Sequence, residues 1–130
     1  MPKTISQTVT FHATPHAVYE ALMDAKQHAA FTGGSAKISR NVGGTFSVFA
    51  GSITGKNLEL IPNRKIVQEW RIDEWAKSVT SVVTFALAKT KSGTRLTLTH
   101  AGVPDSHADS IARGWRDYYW GPMKELLGNQ

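Results

Sequence analysis

The longest periodic segment of the chain is its last one, residues 107–127. Apolar residues recur there at the spacing of one helical face: Ile111, Trp115, Tyr118, Tyr119, Pro122, Leu126 and Leu127. This spacing predicts an amphipathic helix with an aromatic stripe. Almost all of the preceding chain alternates apolar and polar residues with a period of two. We therefore expect the terminal helix to bury its stripe against a sheet.

The chain before this segment predicts one strand, two short helices and six further strands. Residues 4–11 alternate as a half-buried strand, and Thr14-Pro15 supplies an N-cap and a first helical position. A second short helix is predicted over residues 26–31. The six further strands are predicted at residues 36–39, 45–50, 54–61, 64–73, 79–88 and 94–100. Because their connections are short, neighbouring strands must be antiparallel, which predicts an α+β fold with helices on one side of the sheet.

Two features of the terminal segment predict local departures from a regular helix. Pro122 cannot donate a hydrogen bond to the carbonyl of Tyr118, so the chain at Gly121-Pro122 is expected to kink or widen. Gly114 lacks a side chain beside Trp115. We expect it to mark a close approach between the helix and the rest of the fold.

The composition fits one domain over residues 1–130, large enough to bury a core. The absence of cysteine excludes disulfides, thiolate nucleophiles and cysteine-ligated metals, and it suits a reducing cytoplasm. No segment approaches the roughly 20 apolar residues of a membrane span, and the first residues do not resemble a leader peptide. These features predict a soluble cytoplasmic protein with no membrane partner.

The formal net charge is +5, which raises the question of a nucleic-acid partner. The 15 basic residues, however, are spread along the chain, and only Arg64-Lys65 and Lys89/Lys91 lie close together. A nucleic-acid-binding surface usually concentrates its cations on one face or interleaves them with aromatic residues. The charge pattern therefore favours a solvated surface and no nucleic-acid partner.

Short motifs follow one another along nearly the whole chain: Phe31-Thr32, Gly43-Gly44-x-Phe46, Gly51-x-x-Thr54-Gly55, Lys56-Asn57-Leu58-Glu59-Leu60-x-Pro62, Lys65-Ile66-Val67-Gln68-x-Trp70-Arg71, Trp75, Gly102-Val103-Pro104, Gly114-Trp115-x-x-Tyr118-Tyr119 and Lys124. In number, order and spacing they resemble the C-terminal domain of the activator of the 90-kDa heat-shock protein ATPase, within the START-like (SRPBCC) superfamily. The resemblance implies a helix-grip fold. In that fold a curved antiparallel sheet of about six to seven strands surrounds a long C-terminal helix, and two small helices close one end.

The resemblance also implies a function in the stress response. Residues 1–130, however, match only part of the longer eukaryotic relatives. In eukaryotic relatives this domain is the second half of a longer chain, whose N-terminal half provides much of the chaperone contact. That half has no counterpart in this sequence, which predicts a stand-alone domain. Because function belongs to sites rather than to folds, co-chaperone activity is an alternative here and not a consequence of the fold.

The residues most suited to binding are those that the predicted elements direct inward. Seven of them are the candidate lining of a hydrophobic cavity between the sheet and the terminal helix: Phe31, Phe46, Trp70, Phe85, His100, Trp115 and Tyr119. A cavity for a small apolar ligand is what the START-like resemblance implies, and a fully packed aromatic core is the alternative. Neither a cofactor nor a metal is predicted, since no histidine pair stands at i, i+4 on a helix.

Three functions are compatible with these features. A non-enzymatic binding module for a small apolar ligand is favoured, and a protein that interacts with a 90-kDa heat-shock chaperone is the alternative. A cyclase- or hydrolase-type enzyme would need His100 as a base and Tyr119 as a hydrogen-bond donor on one reacting atom. It ranks last, because the sequence shows no nucleophile or metal set. The oligomeric state is expected to be a monomer or a homodimer.

Overall fold

The computed structural model of the chain describes residues 3–73 and 79–127. The strands are β1 (Lys3–Phe11), β2 (Ala36–Ile38), β3 (Thr45–Val48), β4 (Ile53–Ile61), β5 (Lys65–Ile72), β6 (Ser81–Thr90) and β7 (Gly93–Val103). The helices are α1 (Pro15–Met23), α2 (Ala25–Thr32), α3 (Ala108–Gly114) and α4 (Gly121–Leu126), with short turns at Phe49–Gly51 and Asp105–His107. A π-helical turn, Trp115–Trp120, joins α3 to α4 without a break, and these three pieces together form the C-terminal helix.

The seven strands form one antiparallel sheet in the order β1-β7-β6-β5-β4-β3-β2. Strands β2 to β6 each pair with the next strand along the chain. β1 pairs with β7, so the first strand lies beside the last, and β1 and β2 form the two edges of the sheet. This arrangement confirms the predicted α+β helix-grip fold, with strand ends that differ from the predicted ones by a few residues.

Local capping defines the two short helices. The Thr14 hydroxyl accepts a hydrogen bond from the Ala17 amide at 3.1 Å, as expected for the N-cap of α1. Asp24 caps α2 in the same way, through the amide of Lys26 at 3.0 Å. α2 ends at Gly33, whose φ of 78° is a conformation that glycine adopts without strain. These caps fix where the two helices pack against the sheet.

Alternation along β5 sets which side chains face the C-terminal helix. Gln68, Trp70 and Ile72 are buried, while the residues between them are partly exposed. Gly55 pairs with Trp70 on one side and with Phe46 on the other, and an added Cβ there would lie 2.8 Å from the Phe46 ring. A side chain at this position would therefore disrupt the contact between the Phe46 and Trp70 rings.

The core lies between the sheet, α1, α2 and the C-terminal helix. A second, smaller apolar cluster joins the start of the C-terminal helix to the sheet and contains Ile5, Ile72, Val103 and Ala108. Within the described part of the chain, no helix is long and apolar enough to cross a membrane. Trp75, one of the residues that carry the family resemblance, lies outside the described residues.

Candidate functional site

The C-terminal helix widens at the Trp115–Trp120 turn, where its aromatic residues are concentrated. Pro122 has no N–H for the carbonyl of Tyr118, the bond that an α-helix would make there. Instead, the Gly121 amide bonds to the carbonyl of Arg116, five residues earlier. Such i→i−5 bonds define a π-helix and are often found at functional sites. The local widening predicted from Gly121-Pro122 is confirmed.

The seven residues predicted to line a cavity lie together around this turn. Each is at most 7% exposed. Their ring centroids are 4.5 to 6.2 Å apart in the connected pairs Trp115–Tyr119, Trp115–Trp70, Trp70–His100, Phe85–Trp115, Phe31–Tyr119 and Phe46–Trp70. The pattern of the sequence therefore located one continuous aromatic cluster. That these residues bind a ligand stays a prediction.

His100 is completely buried in this cluster, and both of its ring nitrogens are occupied. The Trp115 indole N–H donates to Nδ1 at 3.1 Å, so Nδ1 must be the unprotonated nitrogen. Nε2 then carries the hydrogen and donates it to the Ser81 hydroxyl at 2.7 Å. Burial also lowers the pKa of His100 to about 4, which keeps the ring neutral. His100 therefore positions the Trp115 ring and has no free lone pair to act as a base.

A second buried histidine, His28 on α2, was not selected by the sequence analysis. Its Nε2 lies 3.0 Å from the Tyr119 hydroxyl, and burial lowers its pKa to about 4. Its Nδ1 is buried and has no hydrogen-bond partner. Burial raises the pKa of Tyr119 well above its usual value. The sequence signal that could have identified His28 is its i, i+3 spacing from Phe31, which places both residues on the buried face of α2.

A chain of polar side chains fixes the Trp70 ring from the sheet side. The Trp70 indole N–H donates to Gln68 Oε1 at 2.9 Å, and Gln68 Nε2 donates to Asn57 Oδ1 at 3.1 Å. Asn57 in turn donates to the carbonyls of Ser39 and Asn41 at 2.8 and 3.1 Å. Buried polar groups that are fully paired in this way specify one arrangement of a core. Trp70 is therefore held in place by hydrogen bonds as well as by packing.

These hydrogen bonds occupy the side-chain groups that acid–base chemistry would need. The candidate base His100 bonds to Ser81 and Trp115, whereas the candidate donor Tyr119 bonds to His28. The two polar groups thus have separate partners. Residues 3–73 and 79–127 also contain no group of three or more histidine or acidic residues that could hold a metal ion.

The space directly beneath the C-terminal helix is almost filled by side chains. A cavity of about 10 Å³ remains, lined by Leu22, His28, Ile38, Phe46, Val48, Gln68, Trp70, Phe85 and Tyr119. This volume has room for about one water molecule. Phe46 and Phe85 therefore belong to a packed region with no space for an organic ligand.

A much larger groove, here called the aromatic groove, opens at the surface beside the C-terminal helix. Its volume is about 490 Å³, and its lining includes Thr32, Phe49, Ser52, Ile53, Trp70, Ile72, Asp73, Ser110, Ile111, Gly114, Trp115, Tyr118 and Tyr119. The volume is in the range of small-molecule sites. The groove combines three of the seven predicted residues with Phe49 and Tyr118, and Tyr118 is 58% exposed.

An unusual turn forms one side of the aromatic groove. Phe49 and Ala50 have φ values of 52° and 57°, a left-handed conformation that costs a non-glycine residue about 1–2 kcal/mol. The turn places the Phe49 ring 6.0 Å from Tyr119 and 6.1 Å from Tyr118, between centroids. Such strain persists where the surrounding structure enforces it. The ring contacts across the groove supply that constraint.

Comparison with known proteins gives consistent results. A family model described as "Activator of Hsp90 ATPase homolog 1-like protein" matches residues 12–128. An activator of 90 kDa heat shock protein ATPase homolog from Dictyostelium discoideum is 33% identical over 115 residues, which are 88% of this chain and 30% of that protein. Homolog 1 from Homo sapiens is 26% identical over 119 residues, or 92% of this chain and 35% of that protein. The chain thus spans about a third of the length of the curated relatives it matches.

Two solved structures match this chain over nearly the whole length of both chains. An HSP90 activator from Plasmodium falciparum superposes with a TM-score of 0.92 at 27% identity, covering 98% of this chain and 97% of that chain. A protein from Chromobacterium violaceum superposes with a TM-score of 0.82 at 26% identity, covering 99% of this chain and 100% of that chain. The fold described above, over nearly the same extent, is therefore shared by these two solved chains.

Proposed function

The chain belongs to the Activator of Hsp90 ATPase homolog 1-like family, and we propose that it binds a chaperone of the 90-kDa heat-shock class and raises its ATPase rate. One observation carries this proposal. The superposition with an HSP90 activator covers 97% of that chain, so a protein of this extent and fold is already described as an activator. This likeness supports assigning the proposed activity to the part of the longer relatives that this chain matches.

The site supports binding rather than catalysis. The histidines of the cluster are neutral and engaged with neighbouring side chains, and the space beneath the helix holds about one water molecule. A domain of this kind acts on a partner through its surface. The proposal includes a cytoplasmic location and a role in the stress response.

The test is an ATPase titration. Purified chaperone is held at constant concentration, the domain is added in increasing amounts, and the rate is corrected with a specific chaperone inhibitor. A rate that rises and saturates supports the proposal, with heat-unfolded domain as the control. Sedimentation of the same mixtures reports complex formation and shows whether the domain is a monomer or a homodimer. An unchanged rate together with no complex would rule the function out.

A second candidate function is the binding of a small apolar ligand in the aromatic groove, because that groove is large enough and five of its thirteen described lining residues are aromatic. The ligand would contact Trp70, Trp115 and Tyr119 from the predicted set, together with Phe49 and Tyr118. The other predicted residues, Phe31, Phe46, Phe85 and His100, would support these rings from behind.

Fluorescence titration with 8-anilinonaphthalene-1-sulfonate, an anionic dye with an apolar ring system, tests this second function. Binding in the groove should be weakened about fivefold or more by Tyr118→Ala, because an exposed aromatic wall is lost. Leu58→Ala is the matched control, since Leu58 is 41% exposed but lies on β4 and does not line the groove. Equal effects of the two substitutions, or no binding by the wild-type protein, would count against the groove as a ligand site.

A further inference from the structure

The two edges of the sheet differ in how they are protected against pairing with another chain. Proteins usually protect edge strands by making them short, by adding charges or proline, or by bulges. β2 has only three residues, one of which is Lys37. Residues 5–11 of β1, by contrast, contain no charge and no proline, and they keep a continuous register with β7. The β1 edge is therefore chemically suited to accept another strand.

Space for such a strand exists beside β1. A trough of about 510 Å³ is lined by Gln7, Thr8, Val9, Arg116, Trp120, Gly121 and Lys124. The side chain of Thr8 points to the face of the sheet opposite to those of Gln7 and Val9, because successive strand residues alternate. All three can line one trough only where the trough follows the strand edge. The trough thus gives access to backbone groups that β7 does not use.

The C-terminal helix forms the opposite wall and runs alongside β1. Gln7 holds the two together, since its Nε2 donates to the Ala112 carbonyl at 3.0 Å and its Oε1 accepts from the Trp120 indole at 2.7 Å. The Phe11 and Trp120 rings then meet 6.3 Å apart, centroid to centroid. Later residues of β1 therefore contact later residues of the helix, and the trough lies between two elements of similar direction.

The charges in the trough are all positive. Arg116 and Lys124 line it, and none of its lining residues within the described chain carries a carboxylate. Lys124 follows Arg116 by eight positions, which corresponds to at most about 12 Å at the α-helical rise of about 1.5 Å per residue, since part of this interval is the wider π-helical turn. In an extended strand this is the distance between residues four apart, about 13 Å, and those residues share one face.

From this geometry we propose that the trough binds an extended acidic segment of a partner protein as an eighth strand on β1. Carboxylates four residues apart in that segment would pair with Arg116 and Lys124, while its backbone continues the sheet. Binding by strand addition draws its affinity from main-chain hydrogen bonds and its specificity from side chains. The inference names a binding surface for the chaperone function proposed above, and it rests on that function only for the identity of the partner.

A second copy of the same chain fits this surface less well. Two β1 edges paired with each other would bring two sets of Arg116 and Lys124 together. Residues 5–11 contain no acidic residue to neutralise them. Like charges so placed oppose association. The charge pattern therefore selects an acidic partner over self-pairing.

The first experiment uses a fluorescein-labelled nine-residue peptide of alternating threonine and valine, with glutamates replacing threonine at its third and seventh positions. We expect fluorescence anisotropy to show binding that weakens with added salt, because the ion pairs lie at the surface. Moving one glutamate to the sixth position places it on the other face and should weaken binding. Methylation of the peptide's backbone nitrogens should abolish it, because the strand hydrogen bonds are lost.

Two double variants localise the binding. Arg116→Glu/Lys124→Glu should weaken binding of the peptide about tenfold, because two surface ion pairs are lost and are replaced by repulsion between like charges. Lys37→Glu/Lys56→Glu changes the net charge equally on exposed residues at the other end of the sheet and should leave binding unchanged. Hydrogen exchange should show slower amides in β1 when peptide is bound. Melting curves of both variants check that they are folded.

The outcomes separate this inference from the proposed function. If the wild-type domain stimulates the chaperone and Arg116→Glu/Lys124→Glu stimulates it equally, the trough is not the binding surface, although the function stands. If the peptide binds at β1 and the chaperone does not respond, the surface stands and the function fails. Equal binding by both double variants, protection of another strand, or self-association through β1 without peptide binding would each overturn the inference.

Discussion

At the scale of single residues, the interior contains two histidines that burial keeps neutral and that differ in their hydrogen bonds. His100 is fixed in one tautomer by Trp115 and Ser81, whereas His28 makes a single bond to Tyr119. Strand alternation was enough to predict that His100 faces inward. It could not identify hydrogen-bond partners, because Ser81 and Trp115 are distant in the sequence and meet only through the fold.

The two histidines predict a loss of stability in mild acid. Burial lowers the pKa of each from 6.5 to about 4, so protons bind the unfolded chain more tightly than the folded one. The stabilisation is complete above about pH 6.5 and is lost as the pH falls towards about 4, by about 3 kcal/mol per histidine. Urea unfolding between about pH 7.5 and 4.5 measures this. His28→Gln should halve the slope, whereas a stability that is constant over this range would contradict the burial of neutral rings.

Gly114 provides a second residue-level prediction, because the close approach expected beside it is not found among the described residues. Among residues 3–73 and 79–127 no close approach requires a glycine here, because the nearest atom to an added Cβ would be Tyr118 Cδ2 at 3.8 Å, an ordinary contact. Its φ and ψ are helical, at −58° and −40°. Gly114→Ala should therefore raise the free energy of unfolding by about 0.5–1 kcal/mol, as alanine does in a helix.

Gly121→Ala is the comparison for this substitution, since a Cβ there would lie 3.4 Å from the Arg116 carbonyl. Gly121→Ala should raise the free energy of unfolding by less than Gly114→Ala does, because the Arg116 carbonyl accepts the hydrogen bond of the π-helical turn. Chemical denaturation of both variants gives the two values. A destabilised Gly114→Ala protein would show that the helix does approach its neighbours closely at this point.

At the scale of elements, the π-helical turn explains the spacing of the aromatic stripe. The buried residues of this part of the helix are Trp115, Tyr119, Trp120 and Met123, at positions i, i+4, i+5 and i+8. Removing one residue from the turn would give i, i+3, i+4 and i+7, the regular pattern of an α-helical face. The additional residue lies among the exposed Arg116, Asp117 and Tyr118, of which Tyr118 is the aromatic one. The proline revealed that the helix widens, but only the structure shows which ring is displaced to the surface.

A deletion tests this interpretation. Without Tyr118, Pro122 returns to the interior of a regular α-helix, which should cost about 3 kcal/mol. Combining the deletion with Pro122→Ala should recover most of that cost, because the missing N–H is restored. Urea unfolding of the two proteins and of Pro122→Ala alone completes the cycle. If the double change is as unstable as the deletion, the extra residue is needed for packing rather than as an accommodation of proline.

At the scale of the whole molecule, most of the fold was predictable and most of the site was not. Element order, the antiparallel sheet and the gripped helix follow from alternation, short connections and family motifs. The aromatic groove depends on the left-handed turn at Phe49 and Ala50, two residues that read in the sequence as the end of a strand. The trough depends on β1 and the C-terminal helix lying side by side, which no local pattern encodes.

The unequal edges of the sheet predict how protection against hydrogen exchange is distributed. Amides in β6 and β7 should exchange most slowly, since each strand has two neighbours and the two share a register of nine residue pairs. Amides in β2 should exchange fastest, because it is short and pairs on one side only. Exchange followed by mass spectrometry or NMR checks this order. A β2 protected as well as β7 would indicate a cover over that edge.

The pairing of β1 with β7 also has a consequence for synthesis on the ribosome. β1 is made first, but its partner in the sheet is the last strand to be made. Strands β2 to β6 can pair in order as they emerge, whereas β1 must remain unpaired until β7 has left the exit tunnel. During that time the backbone hydrogen-bonding groups on both sides of β1 have no partner strand, and residues 5–11 carry no charge to discourage other pairing. The nascent chain is thus expected to need shielding by ribosome-associated factors along β1, rather than along the C-terminal helix.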